Sequence, residues 1–422
     1  MTITKLALHW QILIALCLAV VSGLLLDQSS SIFGVSFLSI FVFFGTLFLN
    51  ALKMLIVPLV MASIIVGMMG LHGDTIGRLG TKTILYYAST SLVAILIGLF
   101  FVNLLQPGIV DGVPARDIIG LSSETDEVVS RVGDKGAGDI AEVLLRMVPP
   151  NIVTAAANGQ MLGLIFFSLI FGFFVSKLQG QAAQVHKDFW QGMLDIMMMM
   201  THLIMKFAPI GVYALVAKVI MISGIDAFKP LAMFFVTVIL ALAVHLLLFL
   251  PAVLRYLARV SPGKHYKAML PALLTAFSTS SSSATLPITM DCVENRAGVS
   301  NQVTGFTLPL GATINMDGTA LYECVAAMFI AQAYGISLDV STQFTIVLIA
   351  LLTSIGVAGI PSASLVAITI ILAAIGLPLE AIGLILVVDR VLDMCRTSVN
   401  VFSDSCAAVT IARLEGEKTR LV

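Results

Sequence analysis

The sequence predicts an all-α membrane protein made of bilayer-spanning helices and, in its last third, of helices that stop part-way. Three observations predict it. Of 422 residues, 59% are hydrophobic and 11% charged, with a mean hydropathy of +1.03; a soluble domain is about 45–50% apolar and about 25% charged. The apolar residues fall in long runs separated by short polar breaks, as in a chain that repeatedly crosses a hydrocarbon core about 30 Å thick. Two late apolar runs carry Ser-, Gly- and Pro-rich centres on either side of an Asn-Met-Asp break. The same composition excludes other classes. A net charge of −1 without a long basic run gives no nucleic-acid surface. Cys17, Cys292, Cys324, Cys395 and Cys406 lack CxxC spacing and form neither a disulfide framework nor a metal signature.

Taken in order, Leu8 to Leu26 reads as a first membrane helix and not a cleaved leader, because no small-residue cleavage site follows it. After a polar break at Asp27–Ser31, the segment Ile32–Leu71 is too long for one perpendicular helix of about 20 residues and is expected to tilt or break. It contains Pro58 and Lys53, whose stem can snorkel to an interface. A break at His72–Lys82 precedes a third helix, Thr83–Leu105, with the polar cluster Tyr86-Tyr87-Ala88-Ser89-Thr90-Ser91. Pro107–Asp139 is Gly-rich and acidic and reads as the longest soluble loop. An amphipathic piece (Ile140–Val153), a helix (Met161–Val175), a polar break at Lys177, His186 and Lys187, a Met-rich helix (Trp190–Met221) and a further helix (Leu231–Leu254) follow. Met193 and Met197 to Met200 read as adaptable packing and not as a metal site. Arg255, Arg259, Lys264 and Lys267 form the strongest basic cluster, which the positive-inside rule places in the cytoplasm. Arg78, Lys82, Lys177 and Lys187 agree in alternate loops, as do Arg413, Lys418 and Arg420. Both termini of this multi-pass inner-membrane chain are therefore expected inside, and the acidic loop outside.

The last third departs from simple spans. Leu270–Met290 is apolar at both ends but has Ser278-Thr279-Ser280-Ser281-Ser282-Ser283 in its middle. Those hydroxyls compete with the backbone for hydrogen bonds, a poor centre for a spanning helix. With polar loops on one side of it, the segment enters and returns as a re-entrant hairpin, which is tolerated only against protein or a water-filled cavity. Thr342–Leu372 repeats the pattern around Ser354–Ser364, and between the two Thr304–Ala331 is interrupted at Asn315-Met316-Asp317-Gly318-Thr319. Each tip by itself also fits a small-residue helix-packing face. Paired interrupted segments point instead to an inverted-repeat carrier with a site at the midplane. After the apolar run Ala381–Val388 comes Asp389 to Asp404. On a helix, Asp389, Asp393, Arg396, Thr397, Asn400 and Asp404 fall within an arc of roughly 100°. Charged side chains at a bilayer centre cost about 2.5–3.5 kcal/mol each, so such groups face a cavity, a partner or a substrate. A structural Asp393–Arg396 ion pair is the plainer alternative, but it leaves the further polar groups of the face without a purpose.

At these residues the sequence resembles the glutamate transporter family, the dicarboxylate/amino acid:cation symporters. The motifs that carry the resemblance are Ser281-Ser282-Ser283-Ala284-Thr285-Leu286-Pro287, Asn315-Met316-Asp317-Gly318-Thr319, Gly359-Ile360-Pro361 and Asp389 to Asp404. It extends over nearly the whole chain, the Tyr86–Ser91 cluster included. The resemblance implies eight transmembrane helices plus two re-entrant helical hairpins in inverted repeats, an elevator-type mechanism and a homotrimer. It implies a scaffold of residues 1–78 (helices one and two) and 109–225 (extracellular loop, helices four and five). It implies a transport domain of residues 79–108 (helix three) and 226–422 (helix six, both hairpins, helices seven and eight). The implied activity is import of an acidic amino acid, L-aspartate or L-glutamate, with Na+, H+ or both as transported ions, in membrane lipid and with no cofactor.

Chemistry then attaches to residues. Arg396 is expected to take the substrate's side-chain carboxylate, since a planar guanidinium offers two parallel donors. Asp393 is expected to take the ammonium, with Thr397 and Asn400 extending the face toward the α-carboxylate and ammonium. The resemblance adds Ser282 and Ile360, through backbone groups at the two hairpin tips, and Thr319 nearby; half-helix N-termini present free N–H groups to carboxylates. Cations need oxygen ligands, and Asn315, Asp317, Asn400 and Asp404 supply them. By resemblance one sodium lies near Gly311, Asn315, Asn400 and Asp404. A second lies near Thr313, Ser354, Ile355 and Val357, and a third near Tyr87, Thr90, Ser91, Asn315 and Asp317. The alternative for Asp317 and Asp404 is a pair of buried carboxylates capping broken helices.

Glu323 is a proton carrier by resemblance to the animal glutamate transporters; the archaeal aspartate transporters have glutamine there. A carboxyl withdrawn from water favours its neutral form and can carry a proton. Archaeal relatives carry an arginine at the position of Ser280 and animal relatives one at the position of Met394. This chain has neither, which leaves open the charge balance around Asp393 and any potassium countertransport. Three rival functions remain. A C4-dicarboxylate:cation symporter would bring a dianion that Asp393 repels. An anion channel would have no use for a site suited to a zwitterion. An intramembrane enzyme with a nucleophile among Ser280–Ser283 needs a base, and only His265 and Lys267 flank that hairpin.

Overall fold

A backbone surrounded by apolar side chains has to satisfy its own amides, and this chain does so almost entirely in helices. The computed structural model describes residues 8–27, 29–69, 76–117, 145, 148–158, 161–223, 228–336, 338–354, 364–377 and 381–422. Helix α1 (Leu8–Leu25) leads to a two-residue hairpin, β1 (Ser31–Ile32) and β2 (Val35–Ser36), with Ile32 opposite Val35. Helix α2 (Phe37–Met69) runs for 33 residues with Pro58 inside it, so the break allowed for in Ile32–Leu71 does not occur. At 1.5 Å per residue it is about 50 Å long, and it fits a core of about 30 Å only when tilted. Helix α3 (Ile76–Leu105) starts well before Thr83 and ends at a second small hairpin, β3 (Ile109–Val110) and β4 (Val113–Pro114). Most of the acidic loop lies outside the described residues.

Helix α4 (Ile152–Ala157) is capped by Asn151, whose side chain accepts from the amides of Val153 and Thr154; α5 (Met161–Lys177) follows. The stretch expected as one Met-rich helix is two, α6 (Gly180–Met205) and α7 (Ala208–Ser223). Pro209 is the physical reason: it lacks an N–H and is disfavoured in a helix interior, but it suits a first turn. The chain therefore turns at Lys206–Phe207 and restarts. Met193, Met197 and Met200 pack with Leu55 and Leu59, in keeping with the packing reading. Helix α8 (Phe228–Val244) continues through two π-helical turns, His245–Phe249 and Val253–Leu257.

The interrupted segments are interrupted where the serines and the Asn-Met-Asp run stand. Helices α9 (Pro262–Thr279) and α10 (Ser282–Asp291) form a hairpin whose turn holds Ser280 in the left-handed region, φ 51°, while the Ser281 hydroxyl accepts from the Ala284 amide. Helices α11 (Asn301–Ile314) and α12 (Asp317–Ala333) are separated by non-helical Asn315 and Met316. Helices α13 (Val340–Ser354) and α14 (Ser364–Ile375) flank residues 355–363. Ile355, Val357 and Ile360, and the Ser354 side chain, lie outside the described residues. Helix α15 (Ile382–Leu414) carries the polar face without a break.

Packing sorts these helices into two groups. α1 packs on α7, and α2 on α5, α6 and α7; α3 packs on α8 and α12, and α15 on α8, α9, α11 and α12. Helix α12 is the centre of the second group, buried at every position except Gln332 although it carries Asp317, Thr319 and Glu323. The C-terminal residues return to the basic loops: Lys82 pairs with Glu415 at 2.6 Å, and the Ser261 amide donates to the Leu421 carbonyl at 2.9 Å. Among the described residues, Leu79–Leu105 and Lys229–Leu257 are long and apolar enough to cross a membrane by length and composition. Phe43, Phe100, Leu104, Phe174 and Leu247 are each more than half exposed, an outward surface suited to hydrocarbon.

Helices α12 and α15 meet at Gly318, where an added Cβ would stand 2.7 Å from the Arg396 carbonyl oxygen and 3.1 Å from its Cα. Backbone cannot swing aside as a side chain does, so only glycine permits this approach. Gly318→Ala is expected to destabilise the protein by about 1–3 kcal/mol, read as a lower Tm in detergent. An unchanged Tm would show that the two backbones are not this close.

Candidate functional site

Three charged residues of α15 stand at positions that helical spacing stacks on one face, and side-chain reach closes them on each other. Arg396 is fully buried; its Nη1 donates to Asp389 Oδ1 at 3.1 Å and its Nη2 to Asp393 Oδ1 at 2.8 Å. The guanidinium carbon lies 3.8 Å from the centroid of the Tyr322 ring, a cation–π contact, and Tyr322 Oη donates to Asp389 Oδ1 at 2.9 Å. Arg396 Nε has no hydrogen-bond partner although it is buried. A buried donor without an acceptor is unusual in a folded protein, and a carboxylate brought to that edge would complete it.

The rest of the expected substrate set divides. The Thr397 hydroxyl donates to the Asp393 carbonyl at 2.8 Å. Asn400 bridges α15 to the start of α12: its Oδ1 accepts from the Gly318 amide at 2.8 Å and its Nδ2 donates to Thr319 Oγ1 at 3.0 Å. Thr319 and Asn400 are thus brought together, one turn from Arg396. Ser282 is buried in the first turn of α10, which packs on α15. Ile360 lies outside the described residues.

The expected cation ligands converge at the break between α11 and α12. The Asp317 carboxylate, at the first turn of α12, accepts from four sides: Ser91 Oγ at 2.7 Å and Thr90 Oγ1 at 3.3 Å on Oδ1, and Ser403 Oγ at 2.6 Å on Oδ2, with His245 Nε2 2.9 Å from Oδ2. Asn315 Nδ2 donates to Asp404 Oδ1 at 2.8 Å and to Ser403 Oγ at 3.1 Å, while Asn315 Oδ1 lies 3.4 Å from Thr90 Oγ1, as an alternative acceptor to Asp317 for its one proton. Tyr87 Oη donates to the Thr307 carbonyl at 2.8 Å, and a Cβ built on Gly311 would stand 2.6 Å from Asp404 Oδ1 and 2.7 Å from Tyr87 Oη. Gly311, Asn315 and Asp404 therefore adjoin Tyr87, Thr90, Ser91 and Asp317 in one oxygen-rich cluster, a donor type that suits hard cations. Thr313 donates its hydroxyl to the Leu310 carbonyl at 2.9 Å; its expected partners Ile355, Val357 and the Ser354 side chain are outside the described residues. Glu323 is fully buried, accepts from Thr353 Oγ1 at 2.9 Å through Oε2, and has no partner for Oε1.

Sequence reasoning missed Tyr322, His245 and Ser403. Tyr322 left no signal, since one aromatic in an apolar helix is ordinary core. His245 did leave one, an ionisable residue inside an apolar run, which marks a functional position by default. His245→Leu leaves the buried Asp317 carboxylate short of a neighbour and is expected to cost about 1–3 kcal/mol, read as a lower Tm. Adding Asp317→Asn, which removes the charge left behind, is expected to recover part of that loss. Equal melting of parent, single and double variants would mean the contact holds nothing.

Comparison with known proteins bears on the chain as a whole. The model of the sodium:dicarboxylate symporter family matches residues 8–414. The chain is 35% identical over 450 residues to excitatory amino acid transporter 3 of Mus musculus, spanning 96% of this chain and 86% of that protein. It is 35% identical over 421 residues to the proton/sodium-glutamate symport protein of Bacillus caldotenax, spanning 98% and 96%. It is also 35% identical over 413 residues to the proton/glutamate-aspartate symporter of Escherichia coli (strain K12), spanning 97% and 93%.

Proposed function

The chain belongs to the sodium:dicarboxylate symporter family, and from that premise we propose that it carries an acidic amino acid, L-aspartate or L-glutamate, across a membrane together with sodium ions, protons or both. One observation carries the choice of substrate: a fully buried guanidinium, Arg396, shares its face with a carboxylate, Asp393, and keeps an unpartnered donor, Nε. An acidic amino acid brings one more carboxylate than ammonium. Its side-chain carboxylate competes with Asp389 and Asp393 for Arg396, and its ammonium takes the place of Arg396 at Asp393. The exchange swaps ion pairs inside the site, and the substrate's net negative charge is left for the co-transported cations to match. The names of relatives, a proton/sodium-glutamate symport protein and a proton/glutamate-aspartate symporter, support this substrate class.

The oxygen cluster around Asn315, Asp317 and Asp404 is the proposed cation path. It shares Asn400 and the α11–α12 break with the substrate residues, so ion and substrate binding would stiffen the same junction. Glu323 is the proposed proton carrier: buried charge is costly without a partner, and Glu323 forms no ion pair among the described residues. The two packing groups support a scaffold of residues 1–78 and 109–225 and a moving domain of residues 79–108 and 226–422. We extend this to an elevator motion, a homotrimer of eight-span protomers and cytoplasmic termini. The family description names dicarboxylates, so a C4-dicarboxylate is the second reading; Asp393 weighs against it, because it would face a dianion.

Uptake in proteoliposomes with sodium and pH gradients imposed separately tests the proposal, and one gradient or both should drive labelled aspartate or glutamate. Competition by succinate as strong as by unlabelled aspartate would favour the second reading. Arg396→Ala is expected to abolish acidic amino acid uptake and to spare neutral amino acid uptake; unchanged aspartate or glutamate affinity would refute its assignment. Glu323→Gln is expected to remove the pH dependence of transport, and identical pH profiles in variant and parent would dispose of that role.

A further inference from the structure

We infer that Arg390 is a positioning residue that balances the charge of Asp393, and that it thereby sets the site's preference for an acidic over a neutral amino acid. The inference rests on the reading of the site as an amino acid site.

Arg390 follows Asp389 in sequence and so stands about 100° round the helix from it, beyond the polar arc of α15. Its side chain nevertheless turns onto that arc, placing Nη1 3.5 Å from Asp393 Oδ2, while Arg396 holds Asp393 Oδ1. Arg390 is 7% exposed. An arginine at the edge of a membrane helix ordinarily runs its stem outward and keeps its head in water; this one is withdrawn into the protein, with its Nε unpartnered. Desolvating a guanidinium is expensive and is offset only by negative neighbours. Its negative neighbour is Asp393, in a cluster whose four side chains, those of Asp389, Arg390, Asp393 and Arg396, are no more than 8% exposed and sum to zero charge.

The consequence follows from counting. Without Arg390 the cluster carries −1 before any substrate enters. That field opposes a substrate of net charge −1 and leaves a neutral amino acid indifferent. When the substrate's carboxylate draws Arg396 away from Asp393, Arg390 remains beside the carboxylate that receives the ammonium and keeps it in place.

The test uses the full-length protein in detergent, at fixed pH and saturating sodium. Labelled L-aspartate binding is measured directly, and L-asparagine, its neutral near-isostere, by competition. Arg390→Met is expected to weaken aspartate about tenfold or more, the size of one unscreened charge a few ångströms away in a partly buried site, and to move asparagine by about twofold or less. Arg390→Lys is expected to restore most of the aspartate affinity. Arg390→Gln, which keeps amide donors and a similar length, serves if the Met variant does not fold, and is expected to behave as Met. Equal weakening of aspartate and asparagine would show a merely structural role and overturn the assignment, as would parental aspartate affinity in both neutral variants. Failure of the parent to bind aspartate at all overturns the substrate reading instead, and this assignment with it.

Discussion

A guanidinium buried in an apolar helical bundle is the constraint around which the remaining geometry is set. Arg396 cannot reach water, so α15 must supply negative charge at one and two helical turns' distance, and α12 must place an aromatic face against it. Asp389, Asp393 and Tyr322 meet those demands. The close approach of the two helices then follows from a residue with no side chain, Gly318, lying against the Arg396 backbone. A charge held this way is costly to build and easy to trade. Its partners are ionic, and another carboxylate can replace one of them provided a cation takes the guanidinium's place beside the Asp it leaves.

The same logic governs the second cluster. A helix broken at Asn315 and Met316 leaves carbonyls and amides without intrahelical partners, and side chains must meet them. Asn400 meets the Gly318 amide, and Asn315 ties Asp404 to Ser403. Asp317 sits where four donors converge, two from α3, one from α15 and one from the π-turn of α8. A π-turn shifts the face of a helix locally, and such turns recur at functional positions; here one carries His245 to the Asp317 carboxylate. The Arg396 and Asp317 clusters are thus two ends of one junction, joined through Asn400 and the α11–α12 break, which would give the proposed carrier a physical route for coupling without a separate signal path.

Apolar and polar contacts divide along the packing. The first group meets through long apolar helices, α2 against α5, α6 and α7, with the outward faces of Phe43 and Phe174 left to hydrocarbon. The second is built around α12, buried on nearly every side, and contains all of the polar clusters described above.

The sequence by itself determined the membrane class, because composition and apolar run length measure the solvent directly. It determined the interrupted helices, because the serine run and the Asn-Met-Asp run each offer the backbone alternative hydrogen bonds, and the helices break within them, at Ser280–Ser281 and at Asn315–Met316. It determined one face of α15, because the helical period is fixed by the backbone. Pro209 showed its limit, since a long apolar run hides a helix restart until the first turn is seen. Only the tertiary structure decided which partners close on those groups. Tyr322 and His245 come from helices distant in sequence, and no periodicity within α15 or α12 encodes their approach. Arg390 stands just beyond the polar arc, and only the tertiary structure shows that its side chain is buried and turned back to Asp393.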